Sequence, residues 1–207
     1  MSRIAGIVLA AGGSRRLGRP KQLLELEGKP LVAHVVSRVL ESLTDEAVVV
    51  TGAHGEAVER ALGGLAVRVV HNPRWEEGQG TSLAAGIAAL GEDIDAAVIL
   101  LADQPGIPVE IVDRAIDAYR EQGAGIVMAE YGNQRGHPVL FDRRFFDELR
   151  LLDSDIGGRD IIRANRDALV LVDGGFETPP RDVDTEDAWS ALQREWRAGN
   201  TGPASSD

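Results

Sequence analysis

Residues 4–24, IAGIVLAAGGSRRLGRPKQLL, decide the fold and carry the strongest functional signal in the chain. The apolar run at 4–10 is typical of a buried strand in a parallel sheet. It breaks into a glycine-rich loop without a carboxylate, although the whole chain has a net charge of -11. Glycines let backbone N–H groups approach a ligand closely, and cationic side chains neutralise phosphate. The stretch therefore predicts a polyphosphate-binding loop with four cations, Arg15, Arg16, Arg19 and Lys21.

Neither of the two common glycine-rich phosphate loops fits this stretch. Gly13 and Gly18 have the spacing of the glycines in a Walker A loop, but Arg19 and Pro20 stand where that motif has lysine and serine or threonine. Gly12, Gly13 and Gly18 also lack the intervals of the G-x-G-x-x-G dinucleotide fingerprint. We therefore expect a phosphate loop of a different type.

Segments typical of strands and of helices alternate along the rest of the chain. Apolar residues recur at helical spacing in ranges 31–43, 52–62, 81–90, 109–122, 143–151 and 185–198. Short apolar runs typical of strands occupy 45–51, 65–70, 95–101, 125–130 and 169–172. The alternation predicts a single-domain α/β protein with a mostly parallel sheet and an irregular C-terminal half. We assign residues 1–198 to this domain and expect 199–207 to form a disordered tail.

Composition excludes several classes of protein. The absence of cysteine excludes disulfides, cysteine-ligated zinc, iron–sulfur clusters and a thiol nucleophile. With 33 acidic against 22 basic residues and a pI of about 4.8, we expect neither a nucleic-acid nor a membrane partner. No apolar run reaches the roughly 18 residues of a membrane span, and the N-terminus lacks the pattern of a signal peptide. We expect a cytoplasmic protein that holds an anionic ligand locally.

Three aspartates are candidate metal ligands. Asp103 follows the strand predicted at 95–101, and ligands of open α/β sheets bind outside the carboxyl ends of strands. Mg²⁺ prefers one or two carboxylates together with phosphate oxygens and water. In the DVDT segment, alternation would put Asp182 and Asp184 on one face of a short strand. The same segment is suited to capping the last helix through Asp184 or Thr185, and both interpretations can hold together.

The histidines give a weaker signal. GHPV at 136–139 places His137 at the start of a short strand, where it is either structural or a ligand. His34, His54 and His71 have no partner at metal-ligand spacing, so we interpret them as structural. The chain has no G-x-S-x-G motif and no paired histidines, which argues against a serine hydrolase and a zinc hydrolase.

Six segments together resemble a known family. LAAGGSRRLGRPKQLL at 9–24 resembles the signature of nucleotidyltransferases, which move NMP from an NTP onto a phosphate and release pyrophosphate. With it, five further segments resemble the molybdenum cofactor cytidylyltransferase-like family, related to molybdopterin-guanine dinucleotide synthase. The segments are HNPRWEEGQGTSLAAGI (71–87), LADQPGIP (101–108), GHPVLF (136–141), DIGGRDIIR (155–163) and DVDTEDAW (182–189). The resemblance covers about residues 4–192 and implies a Rossmann-like, three-layer α/β/α fold.

The resemblance also implies roles for individual residues. Arg16 and Lys21 would contact the triphosphate and, with Asp103, form the catalytic set. Asp103 and Asp184 would hold Mg²⁺, the expected cofactor, with Asp182 as the alternative to Asp184. His137 and Pro138 would border the acceptor pocket. The implied nucleotide-binding residues are Leu9, Ala10, Ala11, Gly12, Gly13, Ser14, Arg15, Arg16, Lys21, Gln79, Gly80 and Ser82.

Two positions depart from the usual pattern of this family. Leu17 replaces a common methionine, and Glu186 directly follows Thr185 where a proline often precedes Glu-Asp. Neither change removes a charged group, so the implied chemistry is retained.

The implied reaction is transfer of CMP from CTP to the phosphate of molybdopterin-bound molybdenum, with release of pyrophosphate. The implied partners are an NTP, with CTP favoured, a phosphorylated small-molecule acceptor, and transiently a molybdoenzyme or its chaperone. Three alternatives stay open. They are GTP with the same pterin, another NTP with a sugar phosphate or phospholactate, and a non-catalytic accessory protein that carries the cofactor to a molybdoenzyme.

Overall fold

Strand β1 (Ile4–Ala10) is buried along its whole length in the interior of a seven-stranded sheet. The computed structural model of the protein describes residues 2–199. Nearly all of the tail expected to be disordered, residues 200–207, lies outside the described residues. Every side chain of β1 is apolar or glycine, because helices cover both faces of the sheet at this strand.

The remaining elements follow in alternation, as the sequence predicts. The strands are β2 (Glu25–Leu26), β3 (Lys29–Pro30), β4 (Glu46–Thr51), β5 (Arg68–His71), β6 (Ala96–Leu101), β7 (Ile126–Tyr131), β8 (Gln134–Asp142) and β9 (Leu169–Asp173). The helices are α1 (Leu31–Glu41), α2 (Gly55–Ala61), α3 (Gln79–Ala88), α4 (Val109–Gln122), α5 (Phe146–Arg150), α6 (Arg159–Ala164) and α7 (Glu186–Arg197).

The strands of the large sheet lie in the order β5-β4-β1-β6-β8-β7-β9, and β2 and β3 form a separate hairpin. Neighbours β5, β4, β1 and β6 pair in parallel, as do β7 and β9. β8 pairs antiparallel with both β6 and β7, so it alone runs against the other six strands of this sheet. The predicted α/β fold with a mostly parallel sheet is confirmed.

The two faces of the sheet bury separate apolar clusters. On one face, side chains of α1, α2 and α4 pack against alternate residues of β1, such as Val8. On the other face, α3, α5 and α6 pack against the intervening residues, such as Ile7. This arrangement confirms the three α/β/α layers. Within residues 2–199, no helix is both long enough and apolar enough to span a lipid bilayer.

A third apolar cluster attaches the last helix to the loop that follows β1. Leu17 from this loop, Val183 from the segment before α7, and Trp189 of α7 are all buried in it. Leu17, one of the two departures from the family pattern, thus anchors the glycine-rich loop. The cluster brings the end of the domain against its beginning.

Several boundaries differ from the predicted ones. β5 begins three residues later than expected, because residues before Arg68 form turns after α2. The 3-10 turn Arg143–Phe145 precedes α5, so the helix predicted at 143–151 is shorter. Residues 182–184, predicted as a short strand, belong to no strand, and the Val183 amide donates a single backbone hydrogen bond to the Asp103 carbonyl at 3.3 Å. Thr185 caps α7 by accepting a hydrogen bond from the Ala188 amide, as one interpretation predicted.

Gly6 offers a test of how closely α1 packs on β1. A Cβ atom at this position would overlap the Cγ1 atom of Val39 in α1. We expect Gly6→Ala to lower the free energy of unfolding by about 1 to 3 kcal/mol, because the core has no room for the methyl group. Urea denaturation followed by circular dichroism measures the change.

Val39→Ala provides the matched background for this test. It removes the obstructing methyl groups, so Gly6→Ala should be less destabilising in the Val39→Ala protein than in the wild type. Equal costs of Gly6→Ala in the two backgrounds would contradict this packing explanation.

Candidate active site

Three strand termini meet at one edge of the sheet. β1 and β6 run in parallel and both end at this edge. β8 runs antiparallel to β6, with Val139 opposite Ile99, so the beginning of β8 reaches the same edge. The glycine-rich loop after β1, Asp103 after β6 and His137 in β8 therefore line one side of the molecule.

A buried glutamine holds the loop against the end of β1. The Gln22 side-chain amide donates hydrogen bonds to the Ala10 carbonyl (3.2 Å) and the Gly12 carbonyl (2.6 Å). The Ser14 hydroxyl accepts a hydrogen bond from the Lys21 amide at 3.0 Å. Ser14 has a φ of 52°, so the chain reverses within the loop. These bonds return Lys21 to the end of the strand.

Lys21 forms the electrostatic centre of the site. Its Nζ atom lies 2.5 Å from Asp103 Oδ2 and 2.7 Å from Asp184 Oδ1, and only 18% of its side chain is exposed. Burial lowers the pKa of Lys21, but the two carboxylates outweigh burial and raise it above its ordinary value. The amine is therefore protonated at neutral pH.

The other three cations of the loop differ in their surroundings. Arg16 donates to Asp184 Oδ2 at 2.5 Å, although 73% of its side chain is exposed. Arg19 makes two hydrogen bonds to Glu186 in α7, at 3.1 and 2.9 Å. For Arg15, no carboxylate of residues 2–199 lies within ion-pair distance. The loop itself contains no carboxylate, but the folded chain brings carboxylates from distant segments to three of its four cations.

Asp184 and Asp182 lie in different environments. Burial raises the pKa of Asp184, but the hydrogen bonds and charges of Lys21 and Arg16 outweigh it and hold the pKa below its ordinary value. Partial burial, with the nearby charge of Asp103, raises the pKa of Asp182, whose Oδ1 accepts a hydrogen bond from Gln104 at 2.6 Å. Asp184 is thus the ionised partner of Asp103.

The donor set at this point fits a magnesium ion that is completed by substrate. Carboxylate oxygens of Asp103 and Asp184 converge on one cation, the Lys21 amine. Among the described residues, no group of three or more histidine, cysteine or acidic side chains could form a metal cage. Two carboxylates without a full cage suit Mg²⁺, which takes its remaining ligands from phosphates and water.

A cavity of about 690 Å³ lies between the loop, the end of β6 and the beginning of α3. Nine of the twelve residues predicted to bind nucleotide line it, together with Asp103 and Asp184. The nine are Leu9, Ala11, Gly12, Gly13, Arg15, Arg16, Lys21, Gln79 and Ser82. The Ser82 hydroxyl also accepts a hydrogen bond from the buried Asn72 side chain at 3.0 Å.

The other three predicted nucleotide contacts, Ala10, Ser14 and Gly80, are not among the residues that line this cavity. The Ala10 carbonyl accepts from Gln22, and the Ser14 hydroxyl accepts from the Lys21 amide. The Gly80 amide donates to the Ser154 carbonyl at 2.9 Å. Each of these three polar groups forms a hydrogen bond within the protein, so the residues support the structure around the cavity without lining it.

A second, smaller cavity of about 280 Å³ adjoins the first. His137 lines it, and the His137 Nδ1 atom donates to the Ile99 carbonyl at 3.1 Å, since a carbonyl can only accept. Burial lowers the pKa of His137. The ring is therefore neutral at pH 7, with Nε2 as its acceptor. Pro138 is buried and is not among the lining residues.

Sequence reasoning missed several residues of the site, among them Gln22, Trp75, Asp155 and Arg159. Gln22 orders the loop, and Trp75 closes the nucleotide cavity against Gly13. Asp155 and Arg159 also lie on the wall of that cavity. Trp75, Asp155 and Arg159 fall within segments that carry the family resemblance, which is the signal that could have identified them. Gln22 lies next to Lys21 in the 9–24 segment, so the same resemblance could have identified it.

Comparison with known proteins gives a consistent result. Residues 6–169 match the MobA-like NTP transferase domain. The chain is 33% identical over 191 residues to nicotine blue oxidoreductase of Paenarthrobacter nicotinovorans, covering 88% of this chain and 92% of that protein. It is similar to the crystal structure of Rv0371c from Mycobacterium tuberculosis H37Rv, with a TM-score of 0.83 and 31% identity over 93% of this chain and 98% of that one. A manganese complex of Rv0371c has a TM-score of 0.78 at 28% identity, over 93% and 99% of the two chains.

His137 gives a pH-dependent test of the second cavity. Since its pKa is lowered from 6.5 in the folded protein, the unfolded chain binds a proton more readily. The free energy of unfolding contributed by His137 should therefore be fully present above pH 6.5 and decrease as the pH falls below that value. His137→Asn keeps a donor for the Ile99 carbonyl but does not titrate.

The measurement is the difference in unfolding free energy between wild type and His137→Asn, from urea denaturation at about pH 7.5 and about pH 5.5. We expect the unfolding free energy of the wild type, relative to that of His137→Asn, to be smaller at the lower pH. His34, whose pKa burial also lowers, is present in both proteins and cancels. A difference that does not change with pH would show that His137 titrates normally.

Proposed function

Because this chain belongs to the MobA-like NTP transferase family, we propose that it transfers CMP from CTP to the phosphate of molybdopterin-bound molybdenum and releases pyrophosphate. The chain is a nucleotidyltransferase. The observation that carries the finer proposal is the pair of adjoining cavities. The wall of one includes Lys21, Arg16 and the carboxylates of Asp103 and Asp184, and the wall of the other combines apolar residues with arginines. Together they suit a triphosphate beside a phosphorylated ring.

The proposed chemistry is an in-line displacement at phosphorus. An anionic oxygen of the acceptor phosphate attacks the α-phosphorus of CTP and forms a new P–O bond. The bond from the α-phosphorus to the bridging oxygen breaks, and pyrophosphate leaves with the electron pair. The attacking oxygen carries no proton, so no general base is assigned, and positioning with charge neutralisation accounts for the rate.

Charged side chains of the loop perform most of this neutralisation in the proposal. Lys21 and Arg16 would face the phosphate oxygens on which negative charge develops. Asp103 and Asp184 would hold Mg²⁺, which when bound supplies Lewis-acid stabilisation to phosphate oxygens. The existence of a manganese complex of the similar Rv0371c supports a divalent cation in this site.

The second cavity supports an acceptor that is partly apolar and carries a phosphate. Its wall combines apolar side chains, such as Phe141 and Ile162, with Arg135, Arg159 and the neutral His137. A flat ring with hydrogen-bonding edges fits such a wall, and a pterin has these properties. The family resemblance favours CTP as donor.

A second candidate function follows from the relative in Paenarthrobacter nicotinovorans, which is named an oxidoreductase. Reduction of a dye by a nicotinamide cofactor would need a dinucleotide site, but the glycine-rich loop lacks the G-x-G-x-x-G intervals. Incubation of the protein with NADH or NADPH and nicotine blue decides between the two. Oxidation of NADH or NADPH that depends on both protein and dye would favour the oxidoreductase.

Pyrophosphate release tests the proposed reaction directly. Purified protein with Mg²⁺ is given CTP, GTP, ATP or UTP, each with and without molybdopterin-bound molybdenum. We expect release that depends on the acceptor and is fastest with CTP. Faster release with GTP, or with a sugar phosphate or phospholactate as acceptor, would identify a donor and acceptor other than the proposed pair. No acceptor-dependent release with any pair would reject the proposal.

Lys21 tests the electrostatic part of the mechanism. We expect Lys21→Ala to lower kcat/KM by about 100- to 1000-fold, equivalent to about 2.7 to 4 kcal/mol of transition-state stabilisation, by analogy with the loss of one oxyanion donor. Arg19→Ala is the charge-matched control on the same loop. Arg19 pairs with Glu186 and is not on the cavity wall, so kcat/KM should stay close to wild type.

Holoenzyme maturation distinguishes an enzyme from a carrier. If Lys21→Ala supported maturation of a molybdoenzyme at the wild-type level, the protein would carry the cofactor without turnover. The nucleotidyltransferase proposal requires maturation to fall in parallel with kcat/KM.

A further inference from the structure

We propose that Arg159 holds the attacking phosphate of the acceptor at the junction of the two cavities, and that the second cavity takes a phosphomonoester carried on a flat, partly apolar body. This inference rests on the proposed function, and it adds a residue that binds the acceptor phosphate at the junction.

The junction is defined by residues that line both cavities. They comprise apolar, amide and charged side chains, and Arg159 is the one cation among them. The five residues are Leu9, Gln79, Leu101, Arg159 and Asp182. By contrast, Lys21 and Arg16 line only the nucleotide cavity, and Arg135 lines only the smaller one.

Electrostatics requires a cation at this place. The attacking oxygen must come within about 3 to 3.5 Å of the α-phosphorus, so two anionic phosphates are forced together. Their mutual repulsion is large wherever water is excluded, and a guanidinium can donate to oxygens of a phosphate in a bidentate manner. Arg159 is the residue placed to do so from the acceptor side.

Local packing sets the position of Arg159. A Cβ atom at the preceding Gly158 would lie 2.8 Å from Phe141 Cζ, so the backbone here is pressed onto the floor of the smaller cavity. The same segment is tied to the start of α3. The Gly80 amide donates to the Ser154 carbonyl at 2.9 Å, and the Gln79 amide donates to Asp155 Oδ1 at 3.3 Å.

Arg159 is exposed where it lines the two cavities, and in the part of the chain that the structure describes no carboxylate neutralises its charge. No acidic side chain of residues 2–199 forms an ion pair with it, whereas its helix neighbour Arg163 pairs with Asp160 at 2.9 Å. His137 is near enough that the charge of Arg159 adds to burial in lowering the pKa of that ring.

The remaining wall explains the flat, apolar body of the ligand. The Gln104 side-chain amide donates a hydrogen bond to Asp182 Oδ1. This bond occupies one oxygen of the carboxylate at the junction, so that oxygen does not face the phosphate. Beyond the junction the wall is largely apolar. Apolar residues that line it include Met128, Val139, Phe141, Ile156 and Ile162.

The experiment measures binding and not turnover. Wild-type protein saturated with Mg²⁺ and α,β-methylene-CTP is titrated with hydroxymethylpterin phosphate and, separately, with hydroxymethylpterin, using pterin fluorescence. We expect the phosphorylated pterin to bind at least about tenfold more tightly, as a charge-assisted contact provides. Arg159→Ala should abolish this preference. Arg159→Lys should retain part of it, because lysine keeps the positive charge but lacks the planar guanidinium that can donate two parallel hydrogen bonds.

Arg163→Ala is the matched control, because it removes the same charge from the same helix outside the cavities, and it should keep the wild-type preference. The affinity of each variant for α,β-methylene-CTP is measured in parallel, and it should stay at the wild-type value in Arg163→Ala, which lies outside both cavities, and fall less than the phosphate preference does in Arg159→Ala. Equal binding of the two pterins by the wild type, or an unchanged preference in Arg159→Ala, would overturn the inference. An Arg159 variant that loses affinity for α,β-methylene-CTP but keeps the preference for the phosphorylated pterin would also overturn the inference.

These outcomes are separate from the failure of the proposed function. A wild type that releases no pyrophosphate with any acceptor rejects the reaction. The phosphate preference and its dependence on Arg159 are still decided by the titrations, which are repeated without nucleotide if the wild type does not bind α,β-methylene-CTP.

Discussion

The shared ion pair of Lys21 with Asp103 and Asp184 is the interaction on which the site depends. It joins the loop after β1, the end of β6 and the segment before α7, across 82 and 163 positions of the sequence. The amine is largely shielded from water, so each carboxylate stabilises its charge, and removing the amine would leave Asp103 without the cation that compensates it. The third apolar cluster supports this ion pair mechanically, because Leu17 and Val183 are buried together beside it. Electrostatics and packing thus hold the same three chain segments.

The antiparallel direction of β8 brings residues of the smaller cavity to the site. In a fully parallel sheet, only strand ends and the loops after them reach the ligand-binding edge. β8 is antiparallel, so its beginning reaches that edge and brings Arg135, Gly136 and His137 beside the end of β6. The loop before α6 then closes the smaller cavity by packing Gly158 on Phe141. Two adjoining cavities with different chemistry follow from this one reversal.

The site residues differ in how far local sequence could identify them. The loop between Gly12 and Lys21 and the strand-end Asp103 stand out from their neighbours alone, and both lie where the predicted edge of the sheet should be. Gly80 illustrates the opposite case, since it lies within a segment resembling the family, but its amide bonds to Ser154, 74 positions later in the chain. Gln22 and Arg159 escaped notice because their importance comes from what they touch. One donates to two loop carbonyls, and the other borders two cavities.

From the sequence alone we predict the alternation of strands and helices, the apolar β1, the position of the cationic loop and a cap on α7 at Asp184 or Thr185. These follow from periodicity and short-range bonding, which are local properties of the chain. Only the tertiary structure decided the reversed direction of β8, the choice of Asp184 over Asp182 as the partner of Lys21, and the counter-charges of Arg16 and Arg19. Strand pairing and ion pairs join residues far apart in sequence, so their partners are selected by packing of the whole domain and carry no signal in any single segment.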